Sequence, residues 1–135
     1  MAGENFDDDE EKVVGGRNGY GAKLTNILSK MFKIETTDKL NKKKFSKTWY
    51  NNMSQSDDAK ISEFTGNNEY TEVTFQPDLE RFKMNNGFDS DIIQLFKKRS
   101  YDMAGIFNGK VKITLNDKPI KIKCFEDYIK LYLGE

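Results

Sequence analysis

The sequence predicts an α+β fold, a two-layer sandwich of mostly antiparallel sheet with helices on one face. Three observations carry that prediction. Thr71, Val73 and Phe75 alternate with polar neighbours, as do Val111, Ile113 and Leu115, the period of a half-buried strand. Leu24, Ile27, Leu28 and Met31 recur at helical spacing, and Ile92, Ile93, Phe96, Met103 and Phe107 give a second, broader stripe. Asn116-Asp117 sits between two alternating runs, where a hairpin turn belongs. A sheet must bury one face and an amphipathic helix one stripe, so helices laid on an antiparallel sheet satisfy both.

The first 14 residues read as an acidic, flexible flap. Contiguous acids at Asp7-Asp8-Asp9-Glu10-Glu11 could attract a metal, but like charges in a run more often form a solvated, self-repelling face. Gly15-Gly16-Arg17-Asn18-Gly19-Tyr20-Gly21-Ala22-Lys23 follows, with four glycines and two cations just before the Leu24 stripe. Glycine admits positive φ and lets a ligand approach the main chain. A helix start leaves N–H groups free and favours an anion. The physical reading is a cradle for phosphates; the bland one is a turn ending in a helix cap. Neither common phosphate loop fits. Ala22 stands where a P-loop needs its lysine, and Leu24 takes the place of the third glycine in a dinucleotide fingerprint.

The helix after this loop is expected over about 21–31, then a strand through Phe32, Ile34 and Thr36. Lys39, Lys42, Lys43, Lys44 and Lys47 cluster in the next turn; they suit a phosphate backbone or, better, a solvated hairpin. Phe45, Trp49 and Tyr50 mark a second strand, with Trp49 expected in the core. Ile61 and Phe64 mark a short strand in a polar stretch. Thr71, Val73 and Phe75 are expected to face a core, and Pro77 to end their strand. Asp78 to Phe82 reads as a helical turn. Asp89 or Ser90 can cap a helix running to about 107, with Lys97, Lys98 and Arg99 on its solvated face and Gly105 weakening its end. A hairpin through Val111–Ile122 and a short helix with Phe125, Tyr128, Ile129 and Tyr132 complete the chain.

At 135 residues the chain is one domain or less, with enough aromatic content (13%) for a core. A third of its residues are charged, and no apolar run approaches 18 residues, so no membrane partner is expected. The acidic start lacks a signal-peptide pattern. A single cysteine, Cys124, forbids an internal disulfide, suits a reducing compartment and reads as buried filler. With no histidine, Ser-His and Cys-His catalysis is excluded within this chain. Net charge is zero, yet all but one of the 22 basic residues and only 16 of the 22 acids lie after residue 12, a mild bias toward a polyanionic partner.

Gly16-Arg17-Asn18-Gly19-Tyr20-Gly21-Ala22-Lys23 resembles the nucleotide-binding loop of eukaryotic type II DNA topoisomerases. The resemblance continues in order through Asn5-Phe6-Asp7-Asp8-Asp9-Glu10, Trp49-Tyr50-Asn51-Asn52-Met53, Tyr70–Leu79, Lys98-Arg99-Ser100-Tyr101-Asp102, Leu115–Lys118 and Tyr128–Leu133. It implies part of a Bergerat-type (GHKL) ATPase fold, with 15–135 as the C-terminal part of one incomplete ATP-binding domain. It implies ATP contacts from Asn5, Gly16, Arg17, Asn18, Gly19, Tyr20, Gly21, Ala22 and Lys23. The family's serines before Asn5 are replaced here by Gly3 and Glu4.

The resemblance also implies what a working ATPase needs beyond these residues: a glutamate that activates water, an asparagine that holds Mg2+, an adenine-reading aspartate and a transducer lysine. No Glu-x-x-x-Asn motif serves here, so no catalytic residue and no magnesium ligand is assigned, and the chain by itself is expected to be inactive. An incomplete core is expected to leave an apolar sheet edge or face open to self-association. For the whole protein the resemblance implies an ATP-hydrolysing, nuclear, homodimeric topoisomerase. It would pass one DNA duplex through a transient break in another, with ATP closing the clamp. Two other readings stand beside it: the lid of a different Bergerat-fold ATPase, and a non-enzymatic basic module that binds DNA or protein.

Overall fold

The computed structural model describes residues 19–134. Its residues form two compact units, divided after Lys83. The first holds helix α1 (Tyr20–Ile27) and strands β1 (Ser29–Asp38), β2 (Lys43–Tyr50), β3 (Gln55–Ser56), β4 (Lys60–Glu63) and β5 (Thr71–Pro77). The second holds helix α2 (Ser90–Phe107), the hairpin strands β6 (Thr114–Leu115) and β7 (Lys118–Pro119), and helix α3 (Phe125–Leu133). The α+β class is as expected: an antiparallel sheet and three helices.

In the first unit β1 is the central strand. The order is β3-β2-β1-β5, with β4 also paired to β2, and every pairing is antiparallel. Register places Phe32 between Trp49 on β2 and Phe75 on β5. Side chains alternate faces along a strand, so Phe32, Ile34, Phe45, Trp49, Val73 and Phe75 share one side. Phe32 is its buried centre, 1% exposed, with the Trp49 ring 6.0 Å away. The opposite face is polar. There Glu35 meets Lys44 at 2.8 Å, Lys33 at 3.4 Å and the Tyr70 hydroxyl at 2.6 Å. The hydrogen bond from Lys44, helped by that from Tyr70, holds the Glu35 carboxyl down to about 2.

Several expectations need correction here. The first helix ends at Ile27, and Met31 lies in β1 instead. Its stripe is helical only as far as tertiary hydrogen bonds allow: Asn52 Nδ2 donates to Ile27 O and the Asp78 amide to Leu28 O, so these carbonyls leave the helical pattern. Trp49 is half-buried, with Lys47 Nζ 5.4 Å above its ring. Val73 and Phe75 lie on a strand as expected, yet both are exposed; among the described residues β5 is an outer strand and nothing covers this part of its face. The two-residue β3 has no apolar residue and so carries no sequence signal.

In the second unit Asp89 caps α2, its Oδ1 accepting from the Ile92 amide at 2.9 Å. Asn108 closes α2 in the left-handed region at φ 50°. Gly105 does more than weaken the end of α2. It is buried, and its missing side chain is what lets the Tyr128 ring of α3 approach. The cationic face of α2 is not simply solvated. Lys98 Nζ lies 2.8 Å from Asp102 Oδ1 and Arg99 Nη1 3.4 Å from Oδ2, while Tyr128 donates to Oδ1 at 2.6 Å. Tyr128 also meets the Tyr132 hydroxyl at 2.8 Å. The bond to Asp102, with that to Tyr132, pushes the Tyr128 phenol up to about 12.

The expected Val111–Ile122 hairpin shrinks to two residues per strand around Asn116 and Asp117, both left-handed, plus one further bond from the Ile120 amide to Ile113 O. A lone two-stranded ribbon has little to hold a longer ladder. Cys124 is half-buried rather than core, at the N-cap of α3.

Candidate functional site

Asn5, Gly16, Arg17 and Asn18 lie outside the described residues, as does the acidic flap. The rest of the candidate site, Gly19 to Lys23, forms the start of α1. Gly19 is the N-cap, at φ 65° and ψ 18°. That left-handed conformation is routine only for glycine. Tyr20, Gly21, Ala22 and Lys23 are the first four helical residues, and all are exposed. The helix therefore begins one residue earlier than the sequence indicated.

A glycine cap offers no side-chain oxygen to the first-turn amides, and no acid occupies that turn. Most helix starts are neutralised by one or the other. A β-carbon placed on Gly21 would meet nothing within 4 Å, so the main chain there is open to approach. Lys23 adds a cation on the same turn. Donors, dipole and cation together suit a polyphosphate.

The opposite end of α1 is fastened. Ser29 Oγ donates to Thr25 O at 2.5 Å, and the Leu28 amide to Leu24 O at 2.9 Å. Asn52 bridges Ile27 O at 3.0 Å and Asp78 Oδ2 at 3.1 Å, and its own amide donates to Ser29 O. Asn51, Asn52 and Met53 stand in succession at positive φ, a tight turn that asparagine tolerates well. Asp78 is buried beneath Lys30, whose Nζ lies 3.1 Å from Oδ1. Burial alone would raise this carboxyl, but Lys30 and Asn52 outweigh it and hold it below the ordinary value.

Sequence reasoning missed this anchor. Its signal lay in Asn51-Asn52 and in the acid after Pro77, residues noticed as part of a resemblance without a mechanical role. It also missed Asn26, which is 1% exposed with neither amide atom hydrogen-bonded among the described residues.

The lysine cluster is partly committed elsewhere. Lys44 is bound to Glu35 and Lys47 lies over Trp49, while Lys39, Lys42 and Lys43 are exposed. Among the described residues no group of three or more acidic or cysteine side chains could hold a metal ion, and no helix is long and apolar enough to cross a membrane.

No family model matches the chain. Individual proteins do. It is 50% identical over all 135 residues to DNA topoisomerase 2-beta of Gallus gallus, of which it covers 8%. It is 49% identical over 133 residues, 98% of its length, to the mitochondrial DNA topoisomerase 2 of Dictyostelium discoideum, of which it covers 10%. Among solved structures, the ATPase region of Saccharomyces cerevisiae topoisomerase II superposes with a TM-score of 0.91 at 45% identity. That match takes in 99% of this chain and 35% of the other. The chain thus spans about a tenth or less of the length of these curated relatives.

Proposed function

We propose, for a chain that belongs to the type II DNA topoisomerase family and matches its ATPase region, that the loop leading into α1 binds the triphosphate of ATP. The start of α1 carries this reading: a left-handed glycine cap, exposed first-turn amides and an open Gly21. Gly19, Tyr20, Gly21 and Ala22 offer main-chain amides, and Lys23 offers charge. Gly16, Arg17 and Asn18 extend the cradle, and Asn5 closes over the nucleotide from the flap. These residues bind and orient phosphate; none of them can take a proton from water.

The family resemblance implies that the ligand of the magnesium ion that accompanies ATP lies outside this chain. Residues 15–135 then act as one functional segment of the ATP-binding domain, with 1–14 as its flap. In a whole protein of this family, ATP binding orders the loop, the ATPase domains close as a homodimer, and one DNA duplex passes through a break in another. The nucleus is the proposed compartment, although one similar protein is named mitochondrial.

The test is a titration of the 135-residue chain with Mg·ATP, followed by backbone amide chemical shifts. Shifts confined to Gly16–Lys23, lost in Gly21→Val, are the expected result. Silence of those amides at millimolar ATP, with DNA shifting Lys39–Lys47 instead, would replace this reading with the basic binding module. No turnover of ATP above background is expected from these 135 residues alone.

A further inference from the structure

Helix α1 has eight residues, too few to be stable by itself in water. Its direction is set by what binds its end. The last carbonyls of a helix have no partner within it. In α1, Leu24 O and Thr25 O are served by the Leu28 amide and the Ser29 hydroxyl, each four places on. Ile27 O is served from a different part of the chain. Asn52 Nδ2, in the turn between β2 and β3, donates to it at 3.0 Å. The same amide nitrogen donates to Asp78 Oδ2 at 3.1 Å.

Asn52 is itself held in place. Its main-chain amide donates to Ser29 O at 2.9 Å and the Asn51 amide to Lys30 O at 2.9 Å, so the turn is stitched to the start of β1. Its φ is 59°, a conformation that asparagine adopts more readily than most residues. The position asks for a short side chain that bears positive φ and offers two protons to two acceptors. Aspartate has the shape and lacks the protons; glutamine sets its amide one carbon further out.

Distance gives the tie its effect. A helix of eight residues is about 12 Å long, so a swing of about 10° at Ile27 carries the Gly19 end about 2 Å. N–H···O bonds hold only within about 2.7–3.2 Å, and amides displaced that far miss the oxygen they were aimed at. We propose that Asn52 is a positioning residue for the nucleotide phosphates. By fixing Ile27 against β1 and Asp78, it aims the amides of Tyr20, Gly21 and Ala22. This rests on the nucleotide reading above and adds to it a residue at the far end of the helix.

Asn51 supplies the control. It has the same left-handed conformation, at φ 49°, but its side chain donates to Gln55 Oε1 within its own turn. Asn52→Gly and Asn51→Gly therefore loosen the same turn, and only the first releases α1. Each variant of the 135-residue chain is titrated with Mg·ATP and followed by the amide shifts of Gly16–Lys23. Asn52→Gly is expected to weaken binding by about tenfold, the effect of one misaimed hydrogen bond to a charged group. Asn51→Gly is expected to bind as the parent does. Without ligand, residual dipolar couplings of Tyr20–Ile27 should change in Asn52→Gly alone, with those of β1 unchanged in both.

Equal affinities in the two variants, or unchanged α1 couplings in Asn52→Gly, would overturn the proposal and leave the nucleotide reading standing. A parent chain whose loop amides ignore Mg·ATP would overturn both. Should Asn52→Gly fail to fold by circular dichroism, Asn52→Ser against Asn51→Ser decides by the same comparison, since serine keeps one donor where asparagine has two.

Discussion

The Tyr128 ring sits where a side chain on Gly105 would be. A β-carbon built there would lie 2.7 Å from Tyr128 Cγ and 2.9 Å from its Cβ. Both atoms lie near the α3 backbone, so they cannot swing aside. Gly105→Ala should raise intrinsic helix propensity yet destabilise the second unit, because overpacking costs about 1–3 kcal/mol against the roughly 1 kcal/mol that alanine gains. The Tm of Gly105→Ala should therefore fall, and a rise would show that α3 can retreat without loss.

The same helix pair carries a polar lock. Asp102 receives Tyr128, Lys98 and Arg99 within one turn of Gly105. Tyr128→Phe keeps the ring and its packing but withdraws the shortest of those bonds. The Asp102 carboxyl is held low first by Lys98 and next by Tyr128. In Tyr128→Phe it should rise toward its ordinary value, a change visible in an NMR titration of the side-chain carboxyl.

Acid should act on the first unit through Glu35. Its carboxyl sits near 2 in the folded chain, against an ordinary 4.5. A carboxyl that binds protons less readily folded than unfolded stabilises the folded state above the ordinary value. That contribution is present in full above 4.5, shrinks as pH falls below it, and is gone near 2. The urea midpoint should decline across that window, and Glu35→Gln should flatten the decline. An unchanged slope would assign the acid sensitivity to other carboxyls.

Asn26 offers a prediction in the stabilising direction. A buried amide without partners carries a desolvation cost of about 1–3 kcal/mol. Asn26→Leu conserves size closely and removes that cost, so the variant chain should melt higher. A large loss of stability would mean that the amide is paired in solution.

Asp89→Ala tests the capping geometry. Loss of the Ile92 amide's acceptor should cost about 0.5–2 kcal/mol and fray the start of α2. Asp89→Ser should recover most of it, as measured by denaturant unfolding.

Where the sequence could be read and where it could not has a physical pattern. Asp89 is a local cap and lay in plain view, as did the ends of α2, because both depend on residues one turn away. The strand period of Thr71, Val73 and Phe75 was equally local; their exposure was not, since burial depends on what covers the strand. Met31 was drawn into a helix by spacing alone. What stops α1 is Asn52, 25 positions after Ile27, and Asp78 beyond it, and no window of neighbouring residues contains them. Gly105 shows the converse failure: its propensity was read correctly and its purpose, room for Tyr128, lay 23 residues away. In the candidate site, Gly19 through Lys23 announced themselves by composition, while the fastening behind them did not.

That fastening makes α1 a cantilever. Asn52, Ser29 and Asp78 clamp its carboxyl end to the sheet, and nothing comparable holds the Gly19 end among the described residues. A load applied at the free end, such as a phosphate group drawing the first amides toward it, turns the helix about a fixed root. The resulting torque passes through Asn52 and the Ile27 carbonyl into β1 and the turn after β5. Deflection at Tyr20 would therefore be felt at Asp78 as a tug on a bridged carboxylate, with the rigid centre of the sheet serving as the wall.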